Sequence, residues 1–272
     1  MKIFKSDKQI KLSKFLSEKY GADLSYGAMQ KLFRNKDIKV DGKRINKDIT
    51  LSPFQEVIVY YDGAKQDITP VFESDGVFVF YKPPTLTSEE FSARVNKVYG
   101  GLELCHRLDR NTAGLLVFAK EQVASEVLKA FKDRTIDKYY LAEVYGRPQK
   151  PSAVLEHYLV KNSDLSTVKV YDSQVSGSVK IITEYETVEE RAESTLLKVK
   201  LITGKTHQIR AHLAHIGNFI IGDSKYGNQD INKRFKAKRQ RLVAYLLKFN
   251  FDKDNILYNI NGKEIKIENI EF

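Results

Sequence analysis

His106-Arg107-Leu108-Asp109-Arg110-Asn111-Thr112-Ala113-Gly114-Leu115-Leu116 runs directly into Val117-Phe118-Ala119. One carboxylate stands between two guanidinium groups and near a histidine, just ahead of an apolar stretch that reads as a buried strand. Opposite charge favours the ionised form of an acid, so Arg107 and Arg110 are expected to hold Asp109 as a carboxylate. A carboxylate positioned at the edge of a rigid element is suited to act as a nucleophile or a general base. Taken alone, the segment fits a solvated turn of alternating charge before the strand better than it fits a catalytic site.

A second cluster lies far along the chain: Thr203-Gly204-Lys205-Thr206-His207-Gln208-Ile209-Arg210-Ala211-His212-Leu213, then Gly222-Asp223 and Tyr226-Gly227. Together the two segments resemble the RluA-type family of RNA pseudouridine synthases, whose motifs read HRLDxxTSGLL, TGRxHQIRxHL and GDxxYG. Lys138-Tyr139-Tyr140 is similar to the family's KxY segment, and Tyr81-Lys82-Pro83 resembles its opening YKP. The pieces occur in family order, and several ordered motifs are far more specific than one. Ala113 stands where the pattern has Ser, Thr85 where it has Gly, and Val243 where it has His.

The resemblance implies an enzyme that breaks the glycosidic C–N bond of uridine in RNA, turns the base and joins C5 to C1′. The isomerisation gains and loses no atoms or electrons, in keeping with the lack of any cofactor or metal fingerprint in the sequence. By the same resemblance Asp109, Tyr140 and Arg210 are the catalytic residues. Asp109 attacks the ribose or removes a sugar proton, Tyr140 lies against the flipped base and helps remove the C5 proton, and Arg210 pairs with Asp109. His106, Arg107, Thr112, Ile209, Leu213 and Lys82 are expected to bind the substrate nucleotide.

Around these motifs the chain has 272 residues, 42% hydrophobic and 11% aromatic, a globular composition with room for more than one domain. Its formal net charge of +10 suits a polyanionic partner. The single cysteine, Cys105, leaves no internal disulfide framework and points to a reducing, cytoplasmic compartment. No signal-like stretch opens the sequence, and no apolar run approaches the roughly 20 residues that span a bilayer. A monomer without membrane association is expected.

Residues 1–62 read as a unit of their own. Leu12, Phe15, Leu16 and Tyr20 recur at helical spacing, and Met29, Leu32 and Phe33 mark a second helix behind Ser25 as its N-cap. Asp41-Gly42 between apolar flanks is a hairpin signal, and Val57 to Tyr61 reads as a closing strand. The unit resembles an S4-type RNA-binding domain, through Lys11-Leu12-Ser13-Lys14-Phe15-Leu16 and Lys31-Leu32-Phe33-Arg34-Asn35-Lys36-Asp37-Ile38-Lys39-Val40-Asp41-Gly42-Lys43. It holds 13 Lys and Arg against 8 Asp and Glu, half of the whole chain's excess charge. Lys11, Lys14, Lys31, Arg34 and Lys43 are the expected RNA contacts, with a solvated basic face as the alternative. Residues 63–70 read as a linker and 71–272 as the catalytic domain. There Val71-Phe72 and Val77 to Tyr81 form a hairpin, and strands follow at Leu115 to Ala119, Tyr139 to Val144, Val179 to Tyr185, Leu196 to Ile202 and Leu242 to Phe251. Helices are expected at Ala124 to Phe131 and His207 to His215. The fold class is therefore α+β: a small helix-hairpin domain, then a catalytic domain on a mostly antiparallel mixed sheet.

Two other functions compete. His106, His207, His212 and His215 raise a metal-dependent hydrolase, but His207 and His212 lack the i, i+4 spacing of a zincin helix and no Glu completes a metal pattern. A catalytically silent RNA-binding protein is the other, and the presence of Asp109 speaks against it. Gly204-Lys205-Thr206 imitates a phosphate-binding loop, but Val199 replaces its first Gly, and Cys105 reads as packing more readily than as a thiol nucleophile. The basic run Lys233 to Arg241, with Lys233 and Arg234 foremost, is expected to contact phosphates. Large-subunit ribosomal RNA is the first expectation for the partner and transfer RNA the second.

Overall fold

The computed structural model describes residues 2–21, 24, 26–61, 68–162, 166–268, 270 and 272. The chain divides into two compact units, Met1–Ile68 and Thr69–Phe272. Most of the expected linker, like Ser25, lies outside the described residues.

The first unit runs β1 (Lys2–Lys5), β2 (Ile10–Lys11), α1 (Leu12–Tyr20), α2 (Tyr26–Asn35), β3 (Ile38–Val40), β4 (Lys43–Ile45), β5 (Thr50–Leu51) and β6 (Glu56–Val59). Its main sheet has the order β1-β6-β3-β4, and β2 pairs with β5. The helix-spaced residues Leu12, Phe15, Leu16 and Met29, Leu32, Phe33 pack on Ile38, Val40, Val57 and Val59. Asp41 and Gly42 both take positive φ, 47° and 76°, the requirement of the tight turn joining β3 to β4. Lys11 offers α1 no side-chain cap; Asp48 does so from a distance, accepting from the Ser13 N–H at 2.9 Å and hydroxyl at 2.7 Å.

The second unit runs β7 (Phe72–Ser74), β8 (Val77–Lys82), α3 (Ser88–Tyr99), β9 (Leu102–Leu104), β10 (Ala113–Lys120), α4 (Glu121–Asp133), β11 (Ile136–Tyr145), β12 (Ser152–Asn162) and β13 (Thr167–Tyr171). It continues with β14 (Val179–Glu190), β15 (Ser194–Leu201), α5 (Gln208–His215), α6 (Gln229–Arg234), β16 (Leu242–Phe249) and β17 (Glu264–Lys266). The sheet order is β13-β12-β14-β15-β11-β16-β10-β8-β7, with β9 added to β10 and β17 to β16. Every pairing in it is antiparallel except β10 with β16. No described helix is long and apolar enough to cross a membrane.

Strand β10 is buried from Ala113 to Ala119 because both its faces are covered. Leu115, Val117 and Ala119 pack with Ala124, Val127 and Ala130 of α4. On the other face the Phe118 ring meets Phe80 at 5.4 Å and Phe91 of α3 at 6.3 Å, both edge-on. Helix α3 went unread in the sequence, although Thr87 and Glu90 form a complete capping box at its start. Strands β12 and β13 were also unread: their inward positions alternate with charged ones and only Leu159, Val168 and Val170 reach the core.

Candidate active site

The loop between β9 and β10 carries Asp109 to the wall of a cavity of about 850 Å³. Several anchors hold this loop. The Ser88 hydroxyl of α3 both accepts from and donates to the Leu108 backbone, at 2.8 and 3.0 Å. The Thr112 N–H donates to the Asp109 carbonyl at 3.0 Å, and the Thr85 N–H to the Arg110 carbonyl at 2.9 Å. Beneath them the Lys82 ammonium is buried and donates to the carbonyls of Pro83, Leu86 and Arg110. Burial pushes Lys82 down to about 8, offset in part by the charge of Asp109.

Arg210 Nη1 donates to Asp109 Oδ2 at 2.9 Å. Its Nε and Nη2 donate to the Asp223 carboxylate at 2.6 and 2.9 Å, a bidentate fork that fixes the guanidinium plane. Asp223 is fully buried and also accepts from the N–H groups of Lys225 and Tyr226. Despite burial, the hydrogen bonds and charge of Arg210 pull Asp223 below the usual carboxylate range, and those of Asp223 and Asp109 hold Arg210 above its ordinary value. Both therefore stay charged, which is the condition for a buried pair to be stable.

His207 precedes α5 with φ 54°, and its Nε2 lies 4.0 Å from Asp109 Oδ2. The Tyr226 hydroxyl accepts from the Val168 N–H at 2.9 Å and lies 2.9 Å from His207 Nδ1. Where the Tyr226 hydroxyl donates to Nδ1, the neutral imidazole carries its proton on Nε2, facing Asp109. Burial lowers His207, so a neutral ring is the form at neutral pH. Tyr140 projects from β11 beside a register shift at Tyr139/Tyr140, a bulge that re-aims the side chain at the cavity. Burial, and then the charge of Asp109, push its phenol upward, so it stays protonated.

The guanidinium groups beside Asp109 in sequence do not hold it. Arg107 pairs with Glu89 at 2.8 Å, and Arg110 forks onto Glu90 at 2.9 and 3.1 Å. His106, Arg107, Thr112 and Ile209 line the cavity. His106 Nε2 accepts from the Val117 N–H at 3.1 Å, and burial, reinforced by Lys138, pushes it down to about 3, so this ring is neutral and structural. Leu213 and Lys82 do not line the cavity; both point into packed interior. Cys105 does line it, but burial pushes its thiol up to about 12, which disarms it as a nucleophile.

Of the basic run, Lys233 pairs with Asp230 at 3.4 Å, and Arg234 with Glu193 at 2.8 Å and the Tyr145 hydroxyl at 3.2 Å. Lys236, Lys238 and Arg239 instead line a second cavity of about 510 Å³ with Tyr81 and Asn111. Lys11, Lys14, Lys31, Arg34 and Lys43 are all exposed on the first unit. In the sequence His207 stands out only among the candidate metal-binding histidines, and nothing singles out Asp223, Tyr226, Lys138 or Leu242, although the GDxxYG-like segment holds two of them. Thr85 adopts φ 81°, which accounts for glycine in the family pattern there. Ala113 and Val243, the other departures, are register partners across β10 and β16 and share an apolar cluster.

Residues 77–215 match the sequence profile of a family described as RNA pseudouridylate synthase. An uncharacterized RNA pseudouridine synthase of Helicobacter pylori is 35% identical, covering 67% of this chain and 72% of that protein. The ribosomal large subunit pseudouridine synthase C of Rickettsia bellii is 28% identical over 95% of this chain and 93% of that protein. Among solved structures, human RNA pseudouridylate synthase domain containing 1 superposes with a TM-score of 0.62 at 23% identity, over 78% of this chain and 94% of that one.

Proposed function

The chain belongs to the RNA pseudouridylate synthase family, of the RluA type, and on that premise we propose that Asp109 is its catalytic carboxylate and large-subunit ribosomal RNA its substrate. The enzyme isomerises uridine in RNA; the proposal concerns the residues and the target. The observation that carries the residue assignment is the chain Asp109–Arg210–Asp223, a charged relay with one end at the cavity and the other fully buried.

The reaction breaks the N1–C1′ bond, forms C5–C1′, and moves one proton from C5 to solvent while N1 gains one. Asp109 serves either route to bond cleavage, addition to C1′ or removal of the C2′ proton, since both need an ionised, oriented carboxylate. Arg210 supplies that orientation, and Asp223 prevents the guanidinium from turning away. Tyr140 meets the uracil as a neutral phenol, which suits a wall against the flipped base and disfavours an ionised base at C5. Among the described residues, the carboxylates lining the cavity are Asp109 and Glu89, and Glu89 is tied to Arg107. In this reading Asp109 also takes the C5 proton.

The large-subunit target is supported by the similarity to the Rickettsia bellii enzyme, which extends over nearly the whole chain, first unit included. Residues 1–62 are read as an S4-like RNA-binding domain, supported by the exposed cations on its helices and hairpin. Mapping pseudouridine in total RNA from cells with and without the gene tests the target. Loss of one or more large-subunit sites, restored by the wild-type gene, is the expected result; loss confined to transfer RNA would replace the substrate assignment.

A further inference from the structure

His157 on β12, Asp172 directly after β13 and His215 at the end of α5 meet outside the catalytic cavity. Their ligand atoms all lie within 4.8 Å of one another. His215 Nε2 is 2.7 Å and His157 Nε2 3.6 Å from the same atom, Asp172 Oδ1. Bonds of about 2.0–2.2 Å in a tetrahedral site place ligand atoms about 3.3–3.6 Å apart, so one spacing already fits and the other needs to open by under about 1 Å. Among the described residues no Lys or Arg pairs with Asp172, whose ionic partners are the two imidazoles.

Behind these groups stands a support of the kind that orients metal-binding imidazoles. His157 Nδ1 lies 2.7 Å from His212 Nε2, and His212 Nδ1 lies 2.9 Å from Thr183 Oγ1. His212 and Thr183 are wholly buried, so their positions are set by packing. With each Nδ1–H donated down this line, the Nε2 lone pair of His157 faces Asp172.

We propose that His157, Asp172 and His215 bind a divalent transition-metal ion of the zinc class, with water in the fourth position. Two imidazole nitrogens and one carboxylate oxygen select such an ion over magnesium or calcium, which take oxygen ligands. The ion ties the C-terminal end of α5 to β12 and β13, and a cation there also meets the negative end of the helix dipole. The same helix presents Arg210 in its first turn, so the metal braces the element on which the catalytic carboxylate depends. The site itself stands on its own geometry, independent of the roles proposed for Asp109 and Arg210.

The test uses the full chain, stripped with EDTA, desalted, and titrated with zinc sulfate against a chromogenic chelator. One zinc per chain is expected, with affinity reduced about 100-fold in His157→Ala and in His215→Ala. Asp172→Asn alters an exposed side chain, keeps the fold by circular dichroism, and is expected to weaken zinc about 10-fold or more. Cobalt(II) should give the intense visible bands of a four-coordinate site in the wild type and lose them in all three variants. Zinc bound equally by wild type and variants, or no zinc bound at micromolar concentration, would overturn the proposal and leave a His–Asp hydrogen-bonded cluster.

Discussion

Thr85 holds a β-branched side chain at φ 81°, in a region that strongly disfavours one. Its N–H and carbonyl both contact Arg110, so the strain is borne to keep the Asp109 loop closed. Thr85→Gly should therefore raise stability by about 1 kcal/mol, read as a higher denaturant midpoint with an unchanged m-value. A lower midpoint would mean the threonine is not strained. Lys82 offers a second test. Its folded value of about 8 lies below the ordinary lysine value, so the ammonium is charged below that pH and loses a donor above it. Turnover should fall as pH rises through 8, because one of the three loop carbonyls is then left without its partner. A profile level up to about one and a half units beyond that value would remove Lys82 from the positioning of Asp109. At this scale the motifs pointed to Asp109 and to Arg210 as its partner, whereas local charge alone pointed to Arg107 and Arg110, which turn away. Adjacent charges in a chain need not face one another: the loop turns Arg107 and Arg110 onto Glu89 and Glu90 of α3, a helix whose apolar positions are too few to stand out.

Among the described residues, strands β10 and β16 make the one parallel pairing of the large sheet, over Ala113↔Val243 and Gly114↔Ala244. At Gly114, φ is 129° and an added Cβ would sit 2.2 Å from the Ala244 carbonyl oxygen. Backbone cannot yield as a side chain does, so Gly114→Ala should destabilise the protein by about 3 kcal/mol, measured by thermal or denaturant unfolding. A change under about 0.5 kcal/mol would show that the strands can separate without cost. Element legibility followed amphipathicity. The apolar run of β10 and the spaced apolar residues of α4 were plain, because burial demands them. Strands β12 and β13 lie at the sheet edge with solvated faces, which left them little apolar signal. His157 lies on β12, which is why three histidines and an aspartate could meet without any one segment announcing it.

For the whole molecule, a formal charge of +10 is divided so that half of the excess falls within residues 1–62. If Lys11, Lys14, Lys31, Arg34 and Lys43 pair with phosphates, changing them together to Gln should weaken RNA binding and flatten its salt dependence. Every phosphate pairing removed in this way lowers the log–log slope by about 0.7 to 0.9. Unchanged affinity and slope would make these side chains a solvated face. The α+β class and mostly antiparallel sheet were legible because strands followed strands in the sequence; the pairing order was not, because β10 and β16 meet across a long stretch of chain. In the proposed mechanism one carboxylate, Asp109, aligned by Arg210, performs the isomerisation. The direct measurement is tritium release from ribosomal RNA labelled at uridine C5, comparing the wild type with Asp109→Asn at matched RNA occupancy. The variant should bind the RNA within about threefold of wild type yet release tritium about a thousandfold more slowly or not at all. Release at a rate near that of wild type would contradict the assignment of Asp109 and with it the mechanism.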